Sequence, residues 1–174
     1  MSEIFFIRHA QSVANAQGLM AGCRWDAELS AKGKEDAQEF ARQHKDFLSS
    51  IDYVYSSTLL RAKQTADILF EGIDSVQKEA LDGLEERDLG DLTKKPKPNN
   101  FHKESRDMDI SNGEDFQVFQ SRVFKAFEHI AKQGHNKPLV VGHGWAWEAL
   151  NLYFGKNLDN TSNLEIARIE IDLL

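Results

Sequence analysis

The chain has 174 residues and a formal net charge of −7, enough length for one domain with its own core. That balance argues against nucleic acid or an anionic membrane as the main partner, so any bound anion needs a local positive pocket. A single cysteine, Cys23, leaves no internal disulfide and no cysteine pair for a zinc site, which fits a reducing compartment. No segment reaches the ~20 apolar residues of a membrane span. The start, Met1-Ser2-Glu3, lacks the basic and apolar regions of an export leader, so a cytoplasmic protein is expected.

Residues 4–8 (Ile-Phe-Phe-Ile-Arg) are an apolar run ending in charge, the pattern of a buried parallel strand, with His9 just past its end. Ala37, Phe40, Ala41, Phe47 and Leu48 recur at helical spacing and predict an amphipathic helix over roughly 30–48. Tyr53-Val54-Tyr55 reads as a second strand, and Leu59, Ala62, Ala66 and Leu69 as a helix after it. From Leu92 to Ser111 the apolar pattern stops, and Lys94, Lys95, Pro96, Lys97, Pro98, Asn99 and Asn100 mark a loop. Phe116, Phe119, Val123, Ala126, Phe127 and Ile130 line one face of a long helix after Gly113. Leu139-Val140-Val141 is a buried strand that Gly142-His143-Gly144 turns into a helix through about Tyr153. The last residues, Ile166 to Leu173, alternate as an edge strand does. Strands alternating with helices predict an α/β fold, a three-layer αβα sandwich with a mostly parallel sheet and a C-terminal edge strand, in one domain over 1–174. Such folds bind ligands outside the carboxyl ends of their strands, where Arg8, His9 and His143 fall.

Arg8-His9 after a strand, Arg61 in a helix, Glu86 in a loop and His143 after a strand are each weak signals alone. Each has an ordinary role available: strand cap, solvated helix charge, acidic turn, satisfied histidine. Together they suit phosphoryl transfer. Two guanidinium forks can hold phosphate oxygens and neutralise transition-state charge. A neutral imidazole can accept the phosphoryl group, and a nearby carboxyl can protonate the leaving oxygen and later activate water. That chemistry requires no metal or other cofactor.

At these positions the chain resembles the histidine phosphatase superfamily, which includes phosphoglycerate mutases and many small phosphatases. Arg8-His9-Ala10-Gln11-Ser12 with Asn15 resembles the signature Arg-His-Gly-Glu-Ser/Thr. Gly22, Asp26, Leu29-Ser30, Gly33 and Ala37 match the next block, and Ser56-Ser57-x-Leu59-x-Arg61-Ala62-x-Gln64-Thr65-Ala66 matches the second arginine motif. Glu86 stands four residues before Gly90 as the family's acid does, Gly113-Glu114 opens a helix, and Val140-Val141-Gly142-His143-Gly144 supplies the second histidine. The resemblance implies that His9 is the phosphorylated nucleophile and Glu86 the acid and base. It implies that Arg8, Arg61 and His143 form the phosphate pocket and that Asn15 adds a hydrogen bond to the substrate; because His143 precedes a helix, the amides from Gly144 onward can add positive potential to the same pocket. Glu85 rivals Glu86 by adjacency, and the spacing to Gly90 favours Glu86. Two departures stand out. Ala10 replaces a glycine, tolerable if φ stays negative, and Gln11 replaces a glutamate, expected at the pocket rim.

The resemblance is nearer to small phosphatases than to mutases. After the second His-Gly, mutases carry Asn-Ser where this chain has Trp145-Ala146, and no adjacent pair of arginines exists here for a mutase lid. The expected substrate is a small anionic phosphomonoester; the alternatives are mutase-type transfer and a non-catalytic phospholigand-binding protein. Oligomeric state is not readable. Lys94, Lys95, Lys97, His102, Lys103 and Arg106 gather in 93–111, either a solvated mobile charge run or a lid that sets substrate choice. Trp145 and Trp147 either line the pocket or pack their helix, and packing is favoured.

Overall fold

In the computed structural model, which describes residues 2–99, 101, 108–154 and 162–171, the first apolar run is the strand β1 (Ser2–Arg8). It joins β2 (Tyr53–Ser57), β3 (Gln77–Leu81), β4 (Pro138–Gly142) and β5 (Ile166–Ile171) in one sheet of order β3-β2-β4-β1-β5. Three pairings are parallel, and β5 runs antiparallel to β1 at the edge. Every residue of β4 is buried because strands flank it on both sides and helices cover both faces, so it reads as a continuous apolar run.

The period of two along the strands sorts side chains between the helical layers. Phe6, Tyr55 and Val140 face α5 (Phe116–Lys132) and α6 (Gly144–Tyr153), while Ile7, Val54, Leu139 and Val141 face α3 (Lys45–Ser49) and α4 (Leu60–Leu69). The helix α2 (Ala31–Gln43) packs beside α4, and a single turn α1 (Val13–Ala16) follows β1. The result is the three-layer αβα arrangement expected. The stripe on α5 holds: Phe119, Val123, Phe127 and Ile130 are fully buried, each worth about 1.5–3 kcal/mol relative to exposure. Asp115 caps that helix by accepting from the amides of Gln117 and Val118 at 2.8 and 3.1 Å.

The structure departs from the sequence reading in three places. The helix over 30–48 is two helices, broken at His44, where the backbone leaves helical geometry (φ −110, ψ 24) and the ring stacks 3.9 Å from Phe40. The strand β3 was not foreseen: Gln77-Lys78-Glu79-Ala80 are all exposed, so no alternation advertises it, and its pairing with β2 alone makes it a strand. Residues 94–97 keep exposed side chains, as a solvated charge run does, but their backbone is paired. They lie antiparallel to 18–20, with Met20 N donating to Lys95 O (2.9 Å), Lys94 N to Met20 O (2.7 Å) and Lys97 N to Gly18 O (2.8 Å). Phe101 and Ile110 from the same stretch are buried in the main core. Asn100, His102, Lys103 and Arg106 lie outside the described residues.

Candidate active site

The register places the two histidines. Arg8 pairs with Gly142 where β1 and β4 end, so the next residues, His9 and His143, emerge side by side with ring centroids 5.1 Å apart. The amide of His9 donates to Gly142 O at 3.0 Å and fixes the crossing. Beyond the neighbouring end of β2, α4 brings Arg61 in; past β3 a short 3₁₀ turn (Asp82–Leu84) leads to Glu86. Four strand ends thus converge on a cleft lined by Arg8, His9, Asn15, Arg61 and Glu86 among others. His143 lies buried beneath it, against His9.

The His9 ring is fixed in one tautomer. Its Nδ1 is 2.7 Å from Ala10 O, which can only accept, so the proton sits on Nδ1 and Nε2 keeps its lone pair. Arg61 Nε donates toward that lone pair at 3.3 Å. Burial first, and then the Arg61 and Arg8 cations, hold the pKa of His9 well below its ordinary value; burial and the same cations do so for His143. Both rings are therefore neutral at neutral pH. The His143 nitrogens have no hydrogen-bond partner among the described residues.

Arg61 is almost completely buried and is aimed by backbone carbonyls: Nη2 donates to Gly22 O at 2.9 Å and Nη1 to Trp25 O at 3.5 Å. Gly22 takes a left-handed backbone (φ +55), and a Cβ there would stand 2.9 Å from Arg87 O, so this acceptor position suits glycine. Burial lowers the Arg8 and Arg61 pKa values while Glu86 raises them, placing the three charges in one field. Asn15 uses Oδ1 in a reciprocal cap with Ser12, accepting from Ser12 N at 3.2 Å while its own amide donates to Ser12 Oγ at 3.2 Å. That leaves the Asn15 Nδ2 hydrogens for the cleft.

Adjacent carboxylates diverge because the chain is extended at Glu85 (φ −60, ψ 154), which sends successive side chains opposite ways. Glu85 accepts from the Thr58 hydroxyl, outside the cleft. Glu86, 8% exposed, points into it, with Oε1 accepting from Arg87 N at 3.0 Å and Oε2 from Trp145 N at 3.4 Å. Glu86 therefore occupies one of the first amides of α6, so the positive end of that helix acts on the carboxylate as well as on the cleft. Gly144 packs against Arg8, where a Cβ would lie 3.4 Å from the guanidinium carbon.

Ala10 is fully buried and outside the left-handed region, so the missing glycine is tolerated. Gln11 is not at the rim: its Oε1 accepts from Ser30 Oγ at 2.8 Å, and its backbone carbonyl lies against Gly33. Trp145 both lines the cleft and packs on Phe101 and Phe116, whereas Trp147 lies outside the cleft lining and stacks 5.3 Å from Phe6. Several contributors escaped the sequence reading. Thr65 Oγ accepts from Ala10 N (3.0 Å) and donates to Arg61 O (2.7 Å), joining the two motifs. Asn163 Nδ2 donates to His9 O, and Arg122 holds the loop of Glu86. Ser12, three residues before Asn15, carries a legible cap spacing; Arg122 and Asn163 carry no local signal at all.

A family model described as "Histidine phosphatase superfamily (branch 1)" matches residues 4–173. The chain belongs to the histidine phosphatase superfamily. It is 30% identical over 157 residues to the "Probable phosphoglycerate mutase GpmB" of Salmonella choleraesuis, covering 84% of this chain and 71% of that one. It is 32% identical over 151 residues to the "Uncharacterized phosphatase PhoE" of Bacillus subtilis, covering 86% and 76%. Among solved structures, Bacillus stearothermophilus YhfR superposes with a TM-score of 0.82 at 20% identity, over 99% of this chain and 92% of that one. The alpha-ribazole phosphatase of Shigella flexneri gives 0.79 at 23% identity, over 98% and 91%. These two structures share its fold, and the superfamily makes it an enzyme of the phosphatase and mutase kind.

Proposed function

We propose that this superfamily member is a metal-independent phosphomonoester hydrolase that works through a phosphohistidine at His9. The observation that carries this reading is the His9 Nε2 lone pair, held by the Nδ1–H bond to Ala10 O in a cleft lined by the buried Arg61 and the half-buried Arg8. In the first step Nε2 attacks phosphorus as the ester oxygen leaves, the N–P bond forming and the P–O bond breaking. Arg8, Arg61, one His143 N–H and the Asn15 Nδ2 hydrogens hold the non-bridging oxygens, and Arg61 Nε moves from the lone pair to phosphate as the substrate enters. The ring gains positive charge, which the Ala10 carbonyl offsets through Nδ1–H. Protonated Glu86 gives its proton to the departing oxygen. In the second step the Glu86 carboxylate takes a proton from water, the new O–P bond forms, and His9 is released.

Hydrolysis rather than mutase-type transfer is favoured by the mouth of the cleft. Among the described residues it carries one lysine, Lys97, amid Leu19, Met20, Leu89, Phe101 and Trp145, a poor seat for a second phosphate. The expected substrate is a phosphomonoester with one further negative charge at most, handled in the cytoplasm. Steady-state hydrolysis of p-nitrophenyl phosphate in EDTA tests the proposal, with Glu86→Gln and Glu85→Gln assayed on good and poor leaving groups. Turnover should survive EDTA and be inhibited by vanadate, and Glu86→Gln alone should slow poor leaving groups, by about 10²-fold or more. Activity that needs a divalent ion, or the same pattern from Glu85→Gln alone, would overturn the metal-free scheme or the choice of acid respectively.

A further inference from the structure

Glu86 sits on a stretch whose backbone belongs to neither helix nor sheet, so its carbonyls need partners from elsewhere. One side chain meets those of Glu85 and Glu86, and that of Gly83 in the turn before them. Arg122, near the middle of α5, donates through Nη1 to Gly83 O (3.2 Å) and Glu85 O (2.8 Å), and through Nη2 to Glu86 O (3.1 Å). The rest of the fork meets Glu114, with Nε to Oε1 at 2.7 Å and Nη2 to Oε2 at 2.9 Å. A guanidinium has five N–H donors, and here each has an acceptor. Glu114 grips the same stretch from the other end: its Oε2 accepts from Asp88 N (3.3 Å), its carbonyl from Arg87 Nε (2.9 Å), and its amide donates to Asp88 O (2.9 Å). The Arg122 guanidinium also lies 4.8 Å over the Phe119 ring, which is fully buried on α5, so the clamp is rooted in the core.

We infer that Arg122, braced by Glu114, is a positioning residue for catalysis: it fixes the 83–88 backbone so that the Glu86 carboxyl meets the leaving oxygen. Arg122 does not line the cleft and touches no reacting atom. Its effect passes through Glu86, so the inference rests on Glu86 being the acid. Lysine cannot replace it, because three donors on one nitrogen do not span three carbonyls and a carboxylate.

The test is a double-mutant cycle of Arg122→Lys with Glu86→Gln, measured as kcat/KM on aryl phosphates and on an alkyl phosphate, with melting temperature and vanadate inhibition recorded for each variant. Glu114→Gln, which keeps the shape and weakens the brace, repeats the experiment should Arg122→Lys fold poorly. Arg122→Lys should lose about ten- to a hundredfold on the alkyl phosphate, as expected for an acid displaced by an ångström or less, and under about twofold on an aryl phosphate with a good leaving group. Vanadate inhibition should be unchanged, and Arg122→Lys should add almost nothing in the Glu86→Gln background. An equal loss on every leaving group, or a loss that adds fully to that of Glu86→Gln, overturns the positioning role and leaves the acid in place. A Glu86→Gln variant that shows no leaving-group dependence overturns the acid assignment, and the positioning role with it.

Discussion

Replacing Thr65 with valine keeps the shape of a fully buried side chain and removes one hydroxyl. That hydroxyl is the acceptor for Ala10 N at 3.0 Å and a donor to Arg61 O at 2.7 Å. Without it the Ala10 N–H is left in a dry interior, a cost of about 1–3 kcal/mol, offset by less than about 1 kcal/mol from the added methyl. For a chain of this length each kcal/mol shifts Tm by roughly 2–4 °C, so a drop of several degrees is expected. Activity should fall further than stability suggests, because Ala10 O is the acceptor that holds the His9 ring. A tilt of that ring away from the phosphorus should cost about tenfold or more in kcat with little change in KM. Thr65→Ser keeps both hydrogen bonds and should restore most of each loss. Urea unfolding and steady-state kinetics on an aryl phosphate measure the two effects. A Thr65→Val protein with wild-type stability and rate, or a Thr65→Ser protein as impaired as the valine, would refute the link drawn between the motifs.

Lys97 lines the cleft mouth, while the Lys94 ammonium lies 5.4 Å over the Trp25 ring and Lys95 does not reach the cleft. Lys97→Met should therefore raise KM several-fold for substrates with a second negative charge, with kcat and aryl phosphate hydrolysis nearly unchanged; equal effects from Lys94→Met and Lys95→Met would sink the assignment. Folding stability should fall as pH drops below about 6.5, because the unfolded chain protonates His9 and His143 while burial keeps the native rings neutral. The unfolded state binds more protons in that window, so the slope is positive, up to about 1.4 kcal/mol per pH unit for each ring. Denaturant melts between about pH 5 and 6.5 check this, and a His143→Ala protein with an undiminished slope would contradict it.

The strands that position the site were legible because β4 is buried throughout and the middle of β1, Ile4–Ile7, is an apolar run with three of its four residues buried. The helix carrying Arg61 was legible from its buried face. The edge strand β3 was not, since an exposed strand defined by one partner needs no apolar pattern. His9, Arg61 and His143 could be named from the sequence because the motifs around them resemble those of the superfamily; their closeness to strand ends, a weak signal for each alone, only agrees with that. Arg122 could not: it looks like any helix charge until the carbonyls of Gly83, Glu85 and Glu86 are seen to end on it. Gln11 was misplaced for the opposite reason, because one residue of distance from the nucleophile says nothing about direction, and the close approach of Gly33 turns that residue toward Ser30.

The central claim, a covalent phosphoryl group on His9 Nε2, is tested most directly by acid-sparing trapping. Enzyme is mixed with a radiolabelled aryl phosphate for less than one turnover, quenched in alkali, and digested to locate the label. An alkali-stable, acid-labile label is expected on the peptide bearing His9, absent from His9→Ala, which should also lose turnover. Label on another residue, an alkali-labile acyl phosphate, or a His9→Ala protein that still turns over would contradict it.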